Sequence, residues 1–153
     1  MNKRLLAIAA VLIYCALLIK VMVFKDLPTI RVGHLMFRFG GTHSDQPPNF
    51  VPFATIASYL VGHKGLLIGG LNILGNIVLL VPLGFLLPFI FPKMTCKTAL
   101  IPAIASGLTI EILQTILNVG VFDVDDIILN GLGVMVGYWI FSISETLYSR
   151  KSH

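Results

Sequence analysis

Hydrophobic positions in this chain fall into four long, nearly unbroken runs, at residues 5–24, 71–91, 98–117 and 126–147. A helix needs roughly 20 apolar residues to cross the hydrocarbon layer of a bilayer. The runs do not alternate in period two, as the strands of a membrane barrel would. In lipid every backbone N–H and C=O must be satisfied within the protein, which leaves helices for segments of this kind. The pattern therefore predicts an all-α integral membrane protein with about four transmembrane helices, read as one domain over residues 1–153.

Between the first two runs lies a long loop, residues 25–70. Within it "TIRVGHLMFRFGG" alternates loosely, as a short hairpin would, and "GGTHSDQPPN" is turn chemistry. Next, "NFVPFATIASYLVG" places Phe53, Ile56, Ala57, Leu60 and Val61 at helical spacing, with Pro52 suited to a first helical position. That segment is too short to span a bilayer, so it reads as an interfacial or re-entrant helix. Pro82, beside Gly84, should interrupt the helix of the second span and kink it, because proline removes one helical hydrogen bond and crowds the preceding turn, leaving neighbouring helices to satisfy the freed carbonyls. Gly133 and Gly137 form a GxxxG face suited to close helix packing.

Composition agrees with the pattern: 56% of the residues are hydrophobic and 12% charged, too little charge to cover a water-facing surface. The net charge of +4 calls for no nucleic-acid partner, since the bases flank apolar runs as the positive-inside bias requires. Lys3, Arg4, Lys93, Lys97, Arg150 and Lys151 would share the cytoplasmic side of a cell membrane if both termini lie there. Lys25, Arg31, Arg38 and Lys64 in the long loop would then lie outside, which weakens the asymmetry. The first run follows Lys3 and Arg4 as a secretory signal would, but it exceeds a typical ~7–15-residue signal core and lacks a small-x-small cleavage pattern. It reads as an uncleaved first helix. Cys15 and Cys96 fall at different depths, and the histidines are scattered without ligand spacing, so neither a disulfide nor a metal or cofactor site is predicted.

The informative residues are polar ones inside apolar runs. Asn72 and Asn76 share one helical face, Glu111 and Gln114 another with Asn118 a turn beyond, and Asp126 and Asn130 a third. With both termini cytoplasmic, all of them fall at similar depths in the outer half of the membrane. Asn and Gln in a membrane are readily explained as interhelical glue, worth about 0.6 kcal/mol on average and ~1.7 at most. Glu111 is different, because a carboxylate costs roughly 2.5–3.5 kcal/mol at a span's centre and marks a functional site by default. Asp123, Asp125 and Asp126 stand at the mouth of the fourth run. Capping and the helix dipole account for one or two of them. A third would need a cation, Arg31 or Arg38, or a basic ligand group to offset the repulsion. The candidate ligand-binding set is thus Asn72, Asn76, Glu111, Gln114, Asp123, Asp125, Asp126 and Asn130, with Glu111 the candidate acid or base of any catalysis.

Four stretches, "NFVPF", "NILGNIVLLVPLGFLLP", "IEILQ" and "FDVDDIILNGLGVMVGY", agree in order and spacing with those of the VanZ-like family, and from about residue 49 to 140 the chain resembles that family. It departs from many members at Val121, where they carry arginine, at Gly131, where threonine is frequent, and at Leu80, where phenylalanine is common. The resemblance implies a bacterial cell-envelope protein that influences susceptibility to teicoplanin-type glycopeptides. Membrane lipids, lipid-linked cell-wall precursors and the glycopeptide itself are the partners it suggests. Two other readings stay open at this point. One is an intramembrane hydrolase or transferase acting on envelope lipids. The other is a small transporter or flippase, which would have to be a homo-oligomer to enclose a pathway.

Overall fold

The structure, a computed structural model, describes residues 3–23, 30–32, 35–37, 47–61 and 66–151. Lys25, Arg38 and Lys64 lie outside these, as do His34, His43, His63 and His153, most of the turn-rich segment after Phe37, and the Arg31 side chain. Helix α1 (Lys3–Leu18) continues into a π-helical turn at Ile19–Val23. Strands β1 (Ile30–Val32) and β2 (Leu35–Phe37) pair antiparallel in the long loop, Ile30 opposite Phe37. The remaining helices are α2 (Ala54–Leu60), α3 (Leu66–Ile90), α4 (Cys96–Ile116) and α5 (Val124–Lys151).

Four of these helices are long and apolar enough to cross a membrane: Arg4–Met22, Gly69–Ile90, Cys96–Ile116 and Val124–Arg150. Each matches a predicted run, and α4 and α5 begin slightly earlier than the hydrophobic pattern alone suggests. Polar capping residues explain the difference. Thr95 caps α4, its side chain accepting from the Thr98 N–H while the Thr98 hydroxyl accepts from the Thr95 N–H. Asp123 does the same for α5, accepting from the Asp125 N–H at 2.9 Å. The far end of α4 closes on Asn118, left-handed at φ 53°. The N–H of Asn118 reaches the Thr115 carbonyl and that of Val119 the Gln114 carbonyl, a Schellman cap with asparagine where glycine is usual. Asn118 is exposed there and terminates the helix instead of joining the polar set.

α3 and α5 run parallel and form the most extensive interface, with α4 antiparallel between them in sequence. Their closeness depends on missing side chains. A Cβ at Gly84 would overlap the backbone carbonyl of Val134, and a Cβ at Gly137 would overlap that of Val81. The GxxxG face of α5 is therefore consumed inside the chain, Gly133 lying against Ile77 and Leu80. Leu80, Leu83, Leu87, Ala99, Ala103, Val134 and Met135 fill the core, while Leu12, Val78 and Ile101 are exposed, the arrangement of a bundle solvated by lipid.

α3 passes through Pro82 and Pro88 as one helix, so the proline removes a hydrogen bond within the span without ending it. The ring leaves one carbonyl without its helical donor. Beside that gap the Tyr14 hydroxyl donates to the Leu79 carbonyl at 2.6 Å, which also fastens α1 to the bundle. Cys15 and Cys96 are both free.

Candidate functional site

The topology brings the start of α3, the end of α4 and the start of α5 to one end of the bundle, where α2 packs on α3 and α5. The other end collects the chain positions of Lys3, Arg4, Lys93, Lys97, Arg150 and Lys151. Polar side chains predicted from three separate runs meet at the first end, because two turns and the parallel register of α3 with α5 put them at one level.

Asp125 is completely buried. It does not cap its own helix. Its carboxylate accepts from three backbone N–H groups at the start of α2: that of Phe53, that of Thr55 at 2.8 Å and that of Ile56 at 3.1 Å. These are the orphan donors that every helix N-terminus leaves, and a carboxylate there also meets the positive end of the dipole. Phe53 holds a left-handed backbone at φ 67°, rare for a bulky residue, and the contact with Asp125 fixes that turn. Asp125 is thus a cap supplied from another helix.

Asp123 makes a second set of contacts. Its Oδ1 accepts from the Asn49 amide at 2.9 Å and its Oδ2 from the Thr55 hydroxyl at 2.6 Å. Asn49 also bridges the backbone on both sides of Asp123, donating to the Phe122 carbonyl at 2.9 Å and accepting from the Val124 N–H at 3.0 Å. The Asp123 N–H in turn donates to Glu111 Oε2 at 2.9 Å. Asp126 turns to α3, where the Asn76 amide donates to its Oδ1 at 2.8 Å. The three aspartates therefore diverge, each to donors of its own, and the repulsion expected of the cluster is offset by N–H and hydroxyl dipoles. Neither Arg38 nor the Arg31 side chain, the cations considered for that role, lies among the described groups.

Glu111 is 1% exposed, on the face of α4 that also buries Ala103, Gly107 and Ile110. Asn130, also 1% exposed, follows Asp126 by one turn of α5, between the contacts Gly107–Ile127 and Gly131–Ala103. Neither its amide nitrogen nor its carbonyl oxygen has a hydrogen-bond partner. Asn72 reaches the Tyr59 hydroxyl at 3.4 Å, and Tyr59 rests on the bare backbone of Gly69. Burial pushes the Tyr59 hydroxyl above its ordinary range, with Asp126 and Asp123 adding to the effect and the Asn72 bond opposing it. Tyr59 is therefore a neutral phenol at physiological pH.

Gln114 does not join this group. Its amide donates at 2.7 Å to the Met22 carbonyl, a backbone group within the π-helical turn that closes the first span. The spacing of Glu111 and Gln114 suggested one shared face, but three residues of helix separate them by enough rotation to serve two neighbours. Asn49, Thr55 and Tyr59 are part of the site and were not singled out by their chemistry alone. The signal available for Asn49 was its place before a proline-led helix, where an Asx turn is common; its Oδ1 accepts from the Val51 N–H at 3.0 Å.

Among the described residues, no three His, Cys, Asp or Glu side chains are grouped so as to hold a metal ion. The chemistry on offer is a buried carboxylate, a buried unpaired amide, and a hydroxyl–carboxylate pair between Thr55 and Asp123.

Neither curated proteins nor solved structures gave a match to this chain. One protein-family model does match, VanZ/LLP1, over residues 11–145, which takes in α2, the second and third spans and most of the first and fourth. With its apolar helices and nearly full-length match, the chain belongs to the VanZ/LLP1 family of membrane proteins.

Proposed function

We propose that this chain is a bacterial cell-envelope protein whose polar core, Glu111 with Asn130, Asp126 and Asn76, receives the polar group of a lipid-linked or wall-related ligand. Through that ligand it influences susceptibility to teicoplanin-type glycopeptides. The observation that carries the reading is Asn130, buried with both polar atoms unpaired. Leaving a buried polar group unsatisfied costs about 1–3 kcal/mol, a cost that a bound group would offset. Family membership supplies the link to glycopeptides, and Glu111 supplies the charge that packing alone does not call for. In this reading Asp123 and Asp125 hold α2 over the core, and the ligand-facing groups are the four named above.

The test is teicoplanin susceptibility of a deletion strain, with and without the wild-type gene. Alongside it, purified protein in detergent is titrated with a polyprenyl-linked wall precursor while its melting is followed. The proposal expects a difference in susceptibility and a rise in melting temperature that Asn130→Leu abolishes. An unchanged susceptibility together with no thermal response would contradict it.

The hydrolase or transferase reading gains one specific observation, the 2.6 Å contact of the Thr55 hydroxyl with the Asp123 carboxylate, an arrangement that can activate a nucleophile. Thr55 also accepts from Asn49 at 3.0 Å, so its first service is to the α2 attachment. Turnover of an envelope lipid by wild-type protein, lost in Thr55→Val while the fold persists, is the result that would promote this second reading.

A further inference from the structure

α2 turns its polar residues inward and most of its large apolar ones outward. A helix lying on a water-facing surface turns its apolar residues to the protein and its polar ones to solvent. Here Thr55, Ser58 and Tyr59 are half-buried against the bundle, with Thr55 bound to Asp123 and Tyr59 to Asn72. Ile56 is half-buried beside them, but Leu60 is 63% exposed and Val61 71%, and the approach to the helix leaves Phe50, Val51 and Phe53 open as well. An inverted helix is stable where the surrounding medium is apolar.

A second observation points the same way. Backbone that enters lipid has no water to complete its hydrogen bonds. At the start of α2 that role is filled by protein: Asp125 takes three N–H groups, and Asn49 pairs on both sides with the strand-like stretch before α5. A loop standing in water would not need a fully buried carboxylate for this service. The position also fits, since Tyr59 rests on Gly69, the first residue of the second span, and Thr55 meets the turn that opens the fourth. Leu74 on α3 and Ile116 at the end of α4 are exposed at the same end of the bundle.

We infer that α2 is a re-entrant element whose outer face, formed by Phe53, Leu60 and Val61, lies against lipid acyl chains in the shallow layer of one leaflet. Its polar face closes the side of the polar core. The inference holds whether or not that core binds a ligand.

The protein's single tryptophan makes the test direct. Trp139 is exposed on the α5 span and serves in the wild type as the lipid-facing reference. Single-tryptophan proteins carrying Trp139→Phe with either Leu60→Trp or Val61→Trp are reconstituted into phosphatidylcholine vesicles, with or without bromine on the acyl chains. Each is also titrated with iodide. Only variants that melt as the wild type does are compared, and two positions guard against the loss of one. The expected result is quenching by brominated lipid to an extent like that of Trp139, with protection from iodide. Strong iodide quenching without a bromolipid effect would place α2 in water and overturn the inference. Protection from both quenchers would overturn it too, since protein and not lipid would then cover the face.

Discussion

At the scale of single residues, four carboxylates crowded into one end of a membrane bundle have separate tasks. Asp125 gives both oxygens to the α2 backbone, Asp123 joins Asn49 and Thr55, Asp126 pairs with Asn76, and Glu111 supports the turn through the Asp123 N–H. Charge-assisted bonds of this kind contribute about 1.5–3 kcal/mol each, and truncation leaves the donors buried and unpaired. Asp125→Ala should therefore destabilise the protein by roughly 3 kcal/mol or more. The check is thermal unfolding in detergent and the amount accumulating in membranes. Glu111→Gln keeps an oxygen able to accept from Asp123, so its unfolding should stay close to that of the wild type. Asn130→Leu removes an unpaired amide from the core and should leave stability unchanged or raise it, the opposite of what interhelical glue would do.

That residue scale was only partly legible in the sequence. Spacing and run ends announced that Asn72, Asn76, Glu111, Asp126 and Asn130 would share a level, because helix rise and turn lengths fix depth. Partnership was not legible. Gln114 is three residues from Glu111 yet serves a carbonyl in the π-helical turn of the first span, a feature with no signature in hydropathy. Either Asp123 or Asp125 could cap the fourth helix by sequence; Asp123 does so, and Asp125 caps α2, some 70 residues earlier in the chain. Capping across such a separation is a tertiary event that local pattern does not encode.

At the scale of elements, the bundle is organised by the contact of α3 with α5. Each of Gly84 and Gly137 meets a carbonyl of the facing helix at a distance that admits no side chain. Gly137→Ala should push the helices apart and cost about 1–3 kcal/mol, the range for overpacking a close-fitted site. Gly75 lies in the same α3 with nothing near its missing Cβ. Gly75→Ala should accordingly stabilise the helix, by up to about 1 kcal/mol. Melting curves of the two variants should move in opposite directions. Proline chemistry at Pro82 predicts a kink whose freed carbonyl is served by neighbouring helices, and α3 runs on through Pro82 with the Tyr14 hydroxyl donating to the Leu79 carbonyl nearby.

At the scale of the whole molecule, six of the eleven Lys and Arg positions fall at one end of the bundle in chain order, and Lys20, Lys25, Arg31, Arg38 and Lys64 do not. Six basic positions gather at the end holding both termini and the α3–α4 turn, while Glu111 and the three aspartates lie at the end covered by α2. Under the positive-inside bias we propose that both termini are cytoplasmic, which would put the polar core near the outer face. Reporter fusions at the C-terminus should be active only as cytoplasmic reporters, and a periplasm-type signal there would reverse the orientation. An outer-facing core is also what a ligand of wall chemistry would require.

The central claim is that this core does chemistry or binding that packing does not explain, and Glu111 tests it most directly. In a deletion strain, teicoplanin susceptibility is measured after complementation with wild type or Glu111→Gln, with membrane levels and melting temperature measured for both proteins. The account predicts a variant that accumulates and melts like the wild type but fails to restore the wild-type susceptibility. Full restoration by Glu111→Gln would contradict it and leave the buried carboxylate as part of the packing.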